Sequence, residues 1–320
     1  MPRSALTLWL VSLSVALGCT STNGRTASSG PSAKPVMPPA PAQTVAAELA
    51  TNTAAGAPGQ AESGRPCGPL ACLAFETPEA AFREVLARAP RVLGIGEAHA
   101  QKGSEAVASA TRRFTAQLLP LLEGRASDIV LELWVATGGC GEVEQRVAKQ
   151  QAPVTEKQAP TNQSEFVLLG RRAKELGIAP HALTPSCDEY REIAGAGAAD
   201  VARMLQMIAV ATEREVTTRL EQSAALSPTP TIVAYGGALH NDLAPRPGRE
   251  AWSFAGALSA KAGGAYVELD LIVPEFVKDT ESWRGLPWYA AYAARQHGPE
   301  TLLYEPVRNS FVLVFGKGTQ

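Results

Sequence analysis

From residue 75 onward the apolar residues recur in two alternating patterns. Short, nearly continuous apolar runs read as strands over Arg91–Ile95, Asp128–Trp134, Ile178–Leu183, Thr231–Tyr235, Ala265–Val273 and Ser310–Phe315. Continuous runs suit strands that are covered on both faces. Between them, helical spacing covers Pro78–Arg88, Ser104–Leu122, Gln163–Leu176 and about Ala196–Ala224. Thr77 ahead of Pro78 and Glu79 supplies a capping side chain and then a proline for the first turn. Strand and helix in alternation predict an α/β fold: a single three-layer domain with a mostly parallel central sheet and right-handed crossovers. The late segments Ala265–Val273 and Ser310–Phe315 are candidates for an antiparallel edge.

The first 65 residues follow neither pattern. Arg3 precedes an apolar run of twelve residues, Leu6–Leu17. That run is too short for a lasting bilayer span, which needs roughly 20 residues, and it fits the core of a signal peptide. It ends in Ala16-Leu17-Gly18-Cys19, which resembles the lipobox of bacterial lipoproteins, with Ala16 where leucine is usual. The resemblance implies residues 1–19 as a lipoprotein-type signal, acylation of Cys19 and anchoring to the cell envelope. Thr20 and Ser21 after the cysteine favour the outer membrane. Ordinary secretion is the alternative. Residues 20–65 are dominated by Ala, Pro, Ser, Thr and Gly and read as a disordered tether. The folded domain is expected over 66–320.

Composition adds limits. A hydrophobic fraction of 45% and a charged fraction of 19% suit a globular core. A net charge of −2 gives no electrostatic reason to expect nucleic acid or an anionic membrane surface as partner. Apart from Cys19 there are four cysteines, Cys67, Cys72, Cys140 and Cys187. In an exported chain such a set reads as disulfides, with three connectivities open. Cys67 with Cys72 and Cys140 with Cys187 is the expected pairing, because the first pair is local and flanks Gly68 and Pro69. Metal thiolate ligation is the rival, although no Cys-x-x-Cys pair is present.

An α/β sheet of this kind carries its chemistry beyond the carboxyl ends of its strands. Two such ends match here: Gly96-Glu97-Ala98-His99 and Gly237-Ala238-Leu239-His240. In each, glycine permits a tight turn and histidine projects from the loop. With an extended backbone, Glu97 and His99 point to one side. Glu132, inside the apolar run Ile129–Trp134, is costly to bury without a partner. It is expected to face a cation, a donor or a helix arginine such as Arg112 or Arg113. His181 closes the third strand, where Pro180 and Pro185 also suit a structural loop. His297 before Gly298 reads as a helix end. Trp134, Tyr235 and Trp252 could wall a pocket or belong to the core.

The segments GIGEAHAQKGSE, IVLELW and IVAYGGALHND together resemble the superfamily that groups erythromycin-esterase-like proteins, ChaN-like haem-binding lipoproteins and Tiki/TraB proteins. The resemblance covers roughly residues 90 to 245, and the N-terminus is similar to the ChaN-like branch. By position it places the family's first signature on Gly96, Glu97 and His99, its acid on Glu132, and its second signature on Gly237 and His240. The family's branches differ in activity: metal-dependent proteolysis, water activation by histidine and glutamate, or haem binding. Ala98 and Ala100 flank His99 where the esterase-like proteins carry Thr-His-Gly, which argues against macrolide esterase activity.

Three functions follow as expectations. The first is a hydrolase of peptidase or esterase type, in which Glu97, His99, His240 and Glu132 activate water, directly or through a divalent metal on Glu97, His99 and His240. Zinc, manganese and iron all suit imidazole with carboxylate. The second is a haem-binding uptake lipoprotein, with His99, His240, Tyr235 or His181 as ligand to non-covalent haem. The third is a degenerate relative that binds a partner at the cell surface. A small molecule, a peptide or haem is the expected ligand.

Overall fold

The computed structural model describes residues 14–16, 63–136, 138–197 and 200–318. The cleavage site, Cys19 and nearly all of the tether lie outside the described residues. Along the chain, β1 (Ser14–Ala16) is followed by β2 (Arg65–Gly68) and β3 (Cys72–Phe75). The turn between β2 and β3 holds Leu70 and Ala71 at φ 60° and 47°, and a Cys67–Cys72 disulfide closes it. Helix α1 (Pro78–Leu86) starts as the sequence predicts, with the Thr77 hydroxyl accepting from the Ala80 N–H at 3.2 Å. Strand β4 (Val92–Glu97) follows.

The next helical stretch begins six residues later than its predicted start. Ser104 instead donates its hydroxyl to the Gln101 carbonyl at 2.6 Å, a local bond that competes with helix. Ser109 then caps α2 (Ala110–Arg113), which runs through a π turn at Phe114–Leu118 into a 3-10 turn at Leu119–Leu122. Then come β5 (Ala126–Val135), α3 (Glu142–Thr155), α4 (Asn162–Glu175) and β6 (Ala179–Leu183). Helix α5 (Cys187–Gly195) and helix α6 (Asp200–Ser223) follow. The chain closes with β7 (Thr231–Gly237), α7 (Ala255–Lys261), β8 (Tyr266–Ile272), α8 (Glu281–Arg284), α9 (Tyr289–Ala293), β9 (Thr301–Val307) and β10 (Ser310–Val314). A second disulfide joins Cys140 to Cys187, so both cysteine pairs form as expected. None of the described helices is long and apolar enough to cross a membrane.

One sheet runs β6-β5-β7-β4-β8-β10-β9-β3-β2, and β1 adds a short parallel pairing at the C-terminal end of β5. From β6 to β10 every pairing is parallel. The antiparallel edge exists, but it is built from β9, β3 and β2. The expectation for Ala265–Val273 is corrected: β8 is an inner parallel strand between β4 and β10. Six of its seven residues are buried, as suits a strand covered on both faces.

Two helical layers cover the sheet. On one face α1, the Ala110–Leu122 stretch and α4 bury Phe82, Phe114 and Phe166 against Leu93, Ile95, Val233 and Leu269. On the other, α5, α6 and α7 bury Tyr190, Ile208 and Leu258 against Val92, Val130 and Ile232. Farther along that second face, α8 and α9 lay Trp283, Trp288 and Tyr292 over Ile272, Tyr304 and Val312.

Candidate functional site

Strands β4 and β7 are parallel neighbours, in register with Gly96 opposite Gly236 and Glu97 opposite Gly237. Their two Gly-x-x-His turns therefore leave the sheet side by side. They are also bonded to each other, since the Ala238 N–H donates to the Glu97 carbonyl at 3.1 Å. The second turn closes on itself with the His240 N–H donating to the Gly237 carbonyl at 3.0 Å.

Glu97 ends β4 with its side chain on the α1/α4 face, beside Ile95 and Leu93. Three donors converge on its carboxylate. His99 Nδ1 lies 2.6 Å from Oε1, while the hydroxyls of Thr111 and Tyr235 donate to Oε2 at 2.6 and 2.9 Å. Burial alone would raise this carboxyl, but His99, by hydrogen bond and by charge, and then the two hydroxyls hold it below its ordinary value. For His99 burial works downward, and the bond to Glu97, its charge and the charge of Glu132 outweigh it and hold the imidazole above its ordinary value. Glu97 and His99 thus form a buried ion pair.

Glu132 leaves β5 on the opposite face. Its Oε2 accepts the Gly237 N–H at 2.6 Å, and Oε1 stands 3.8 Å from His240 Nε2. Gly236 is what admits it: a Cβ there would lie 2.8 Å from the Glu132 Cβ. Glu132 is bonded to neither Arg112 nor Arg113. Arg113 lies 3.7 Å from Glu275 instead. His240 Nδ1 lies 2.7 Å from the Trp252 carbonyl. A carbonyl only accepts, so Nδ1 carries a hydrogen and a neutral ring presents its lone pair at Nε2.

Three buried atoms in this group have no hydrogen-bond partner: His99 Nε2, His240 Nε2 and Glu132 Oε1. Buried polar atoms are usually partnered. Other orphans occur in this fold, Tyr304 Oη among them. These three stand out by their chemistry, two imidazoles and a carboxyl carried by adjacent strands and their turns. Each histidine has its Nδ1 fixed by an acceptor and its Nε2 left free. That arrangement serves equally a metal ligand and a general acid or base. The donor types suit a transition metal. Among the described residues no group of three or more His, Cys, Asp or Glu side chains stands close enough to hold a metal ion. Both oxygens of Glu97 are also taken up by donors, which places it behind His99 as its orienting partner.

The remaining candidates separate from this group. Tyr235 is 2% exposed, its hydroxyl is spent on Glu97, and its ring packs between Phe114 and Phe166 at 4.9 and 5.6 Å. It is a structural partner and offers nothing to haem iron. His181 is turned to Asp128 at 2.7 Å and Glu215 at 3.8 Å, beside Val130 in the middle of the β5–β6 pairing, so it does not join the site. His297 stacks on Tyr292 at 3.7 Å. Trp134 is core, packed on Tyr190. His99 is 8% and His240 1% exposed, so both imidazoles are buried. Thr111 was not foreseen, since a threonine early in a helix carries no signal of its own. Compared with family models, with curated proteins and with solved structures, the chain has no match.

Proposed function

We propose that the chain is a hydrolase of small-molecule or peptide substrates bearing an ester or amide carbonyl, and that it works with glutamate and histidine alone. The observation that carries this reading is the set of three buried, unpartnered atoms on His99, His240 and Glu132. Their environments divide the roles. His240, with Nδ1 held by the Trp252 carbonyl, accepts the proton of a water through Nε2. The resulting hydroxide attacks the substrate carbonyl carbon. His99, whose protonated form Glu97 favours, donates a hydrogen bond from Nε2 to the oxygen that gains charge and then passes that proton to the leaving group. Glu132, 3.8 Å from His240 Nε2, favours the charged imidazolium that forms there, and its charge also favours the protonated form of His99.

The motif resemblance to the ChaN-like, erythromycin-esterase-like and Tiki/TraB superfamily supports a chemistry of this class. Export and lipid anchoring through Cys19 belong to the same proposal, on the strength of the Arg3–Cys19 pattern. Metabolic labelling with a fatty acid, lost in Cys19→Ala, tests the anchor.

The activity is tested on the full chain with a panel of chromogenic esters and peptides. We expect turnover that survives chelation and falls at least about a hundredfold in His240→Ala and in Glu132→Gln. Turnover that disappears with bound metal on chelation would move the assignment to a metal centre. No turnover, together with a Soret band on adding haemin that is lost in His99→Ala, would overturn hydrolysis in favour of haem binding.

A further inference from the structure

The turn that carries His240 is gripped from across the sheet. On one face of β8 the alternate residues Tyr266, Glu268 and Asp270 each take a polar group of the three residues that follow His240. The Tyr266 hydroxyl donates to the Asn241 carbonyl at 2.8 Å. Glu268 Oε2 accepts the Leu243 N–H at 2.8 Å, and Asp270 Oδ1 accepts the Asn241 side-chain N–H at 3.1 Å. The same Asn241 amide also reaches the Gly94 carbonyl at 3.3 Å.

These contacts pass directly over β4, the strand between β7 and β8. Gly94 is in register with Glu268, and Gly96 with Asp270. A Cβ on Gly94 would lie 2.8 Å from the Tyr266 ring carbon that bears the hydroxyl, and one on Gly96 would lie 2.7 Å from Asp270 Oδ1. Glycine inside a strand weakens it and marks a close approach. Here both glycines sit where the approach occurs.

The polar character of this patch calls for a reason. On the opposite face of β8, Val267, Leu269 and Leu271 continue the apolar core without a break. On the clasped face one apolar cluster ends at Tyr266 and the next resumes at Ile272. Packing alone would be better served by apolar side chains at 268 and 270, because buried carboxyls are costly unless satisfied. We propose that Tyr266, Glu268 and Asp270 are positioning residues for His240. They fix its turn so that the free Nε2 faces Glu132. The value of that orientation rests on the proposed hydrolytic role, but the manner of holding does not.

The groups facing the clasp are Asp242 on the turn, with Arg246 and Arg249 near it, and Ser310 on β10. Burial first, then the charge of Asp270, pushes the Glu268 carboxyl up to about 9, while the Leu243 and Ser310 hydrogen bonds oppose the rise. Burial likewise pushes Asp270 up to about 7, against its bond to Asn241. Burial and the neighbouring Asp270 thus favour the neutral form of Glu268, and glutamine, which keeps an acceptor for the Leu243 N–H, is its conservative replacement.

The test reads His240 and not turnover. In the full chain labelled with ¹⁵N-histidine, NMR should show His240 as a single tautomer, with hydrogen on Nδ1 and none on Nε2. Asp270→Ala and Tyr266→Phe should both move its Nε2 resonance toward the average of two tautomers. The resonances of His181, held by Asp128 and Glu215, should stay in place, and Glu268→Gln should look like wild type. If Asp270→Ala does not fold, Tyr266→Phe decides alone, since it removes one oxygen. An unchanged His240 tautomer in the folded variants, or equal changes at His181, would overturn the proposal whether or not the chain proves to be a hydrolase.

Discussion

Replacing Glu97 by glutamine removes the charge from the centre of the candidate site while keeping its shape. The carboxylate is 4% exposed and receives His99 Nδ1, the Thr111 hydroxyl and the Tyr235 hydroxyl. Removing one member of a buried ion pair costs roughly 3–5 kcal/mol. Glutamine can still accept from Thr111 and Tyr235 through its carbonyl, so the lower end, about 3 kcal/mol, applies. For a domain of this size, that lowers the melting temperature by about 6–12 °C.

The penalty depends on pH. Glu97 is held below its ordinary 4.5, so its contribution is full above pH 4.5 and is lost as pH falls through the folded-state pKa. His99 is held above its ordinary 6.5, so its contribution is full below pH 6.5 and is lost as pH rises through the folded-state pKa. These are two views of one interaction, which is strongest between the two values. Calorimetry of wild type and Glu97→Gln at about pH 5.5 and about pH 9 measures the difference. Equal penalties at both pH values, or less than about 1 kcal/mol at the lower one, would show that no charged pair is present.

Two further perturbations probe the surroundings. Gly236→Ala puts a Cβ 2.8 Å from that of Glu132; crowding of this kind costs about 1–3 kcal/mol. An unchanged unfolding midpoint in denaturant would mean that Glu132 does not lie across Gly236. Cys140→Ser opens a disulfide of sequence separation 47, worth about 4 kcal/mol by chain entropy. Reduced wild type and reduced Cys140→Ser, both then lacking the Cys67–Cys72 bridge as well, should unfold at the same denaturant concentration, and a gap between them would point to an effect of the serine itself.

Much of the parallel sheet is legible in the chain because β4, β5, β7 and β10 are apolar over most of both faces, and β8 is apolar on one face and at both ends of the other. The other elements lack such a pattern. Strand β2 contains Pro66 and Gly68, β9 contains Pro306, and both stand toward the antiparallel edge, where proline is tolerated. Helix α3 buries Glu144 and Gln151 along with Val147, so no apolar stripe announces it. The two matching turns point to Glu97, His99 and His240 because glycine and histidine at fixed spacing have few structural uses together. Thr111 enters the site from the first helix after β4, fourteen residues beyond Glu97, and a threonine at that place carries no pattern that foretells the contact. Glu268 and Asp270 do carry a signal. They interrupt the apolar run of β8 just as Glu132 interrupts that of β5, and the same cost of burial applies to all three.

Strand β4 serves two neighbourhoods at once. Leu93, Ile95 and Glu97 face one helical layer, while Val92, Gly94 and Gly96 face the other. Because side chains alternate along a strand, a one-residue insertion or deletion would exchange the two sets. The carboxylate would then press into the Tyr266–Asn241 contact, and bare glycine would be left beneath Thr111. An evolving lineage can drift in the tether or in the antiparallel edge, but it can change β4 only in step with β7 and β8. Descendants of this chain are therefore expected to gain or lose the pair of glycines, the carboxylate and the polar face of β8 as a single inherited block.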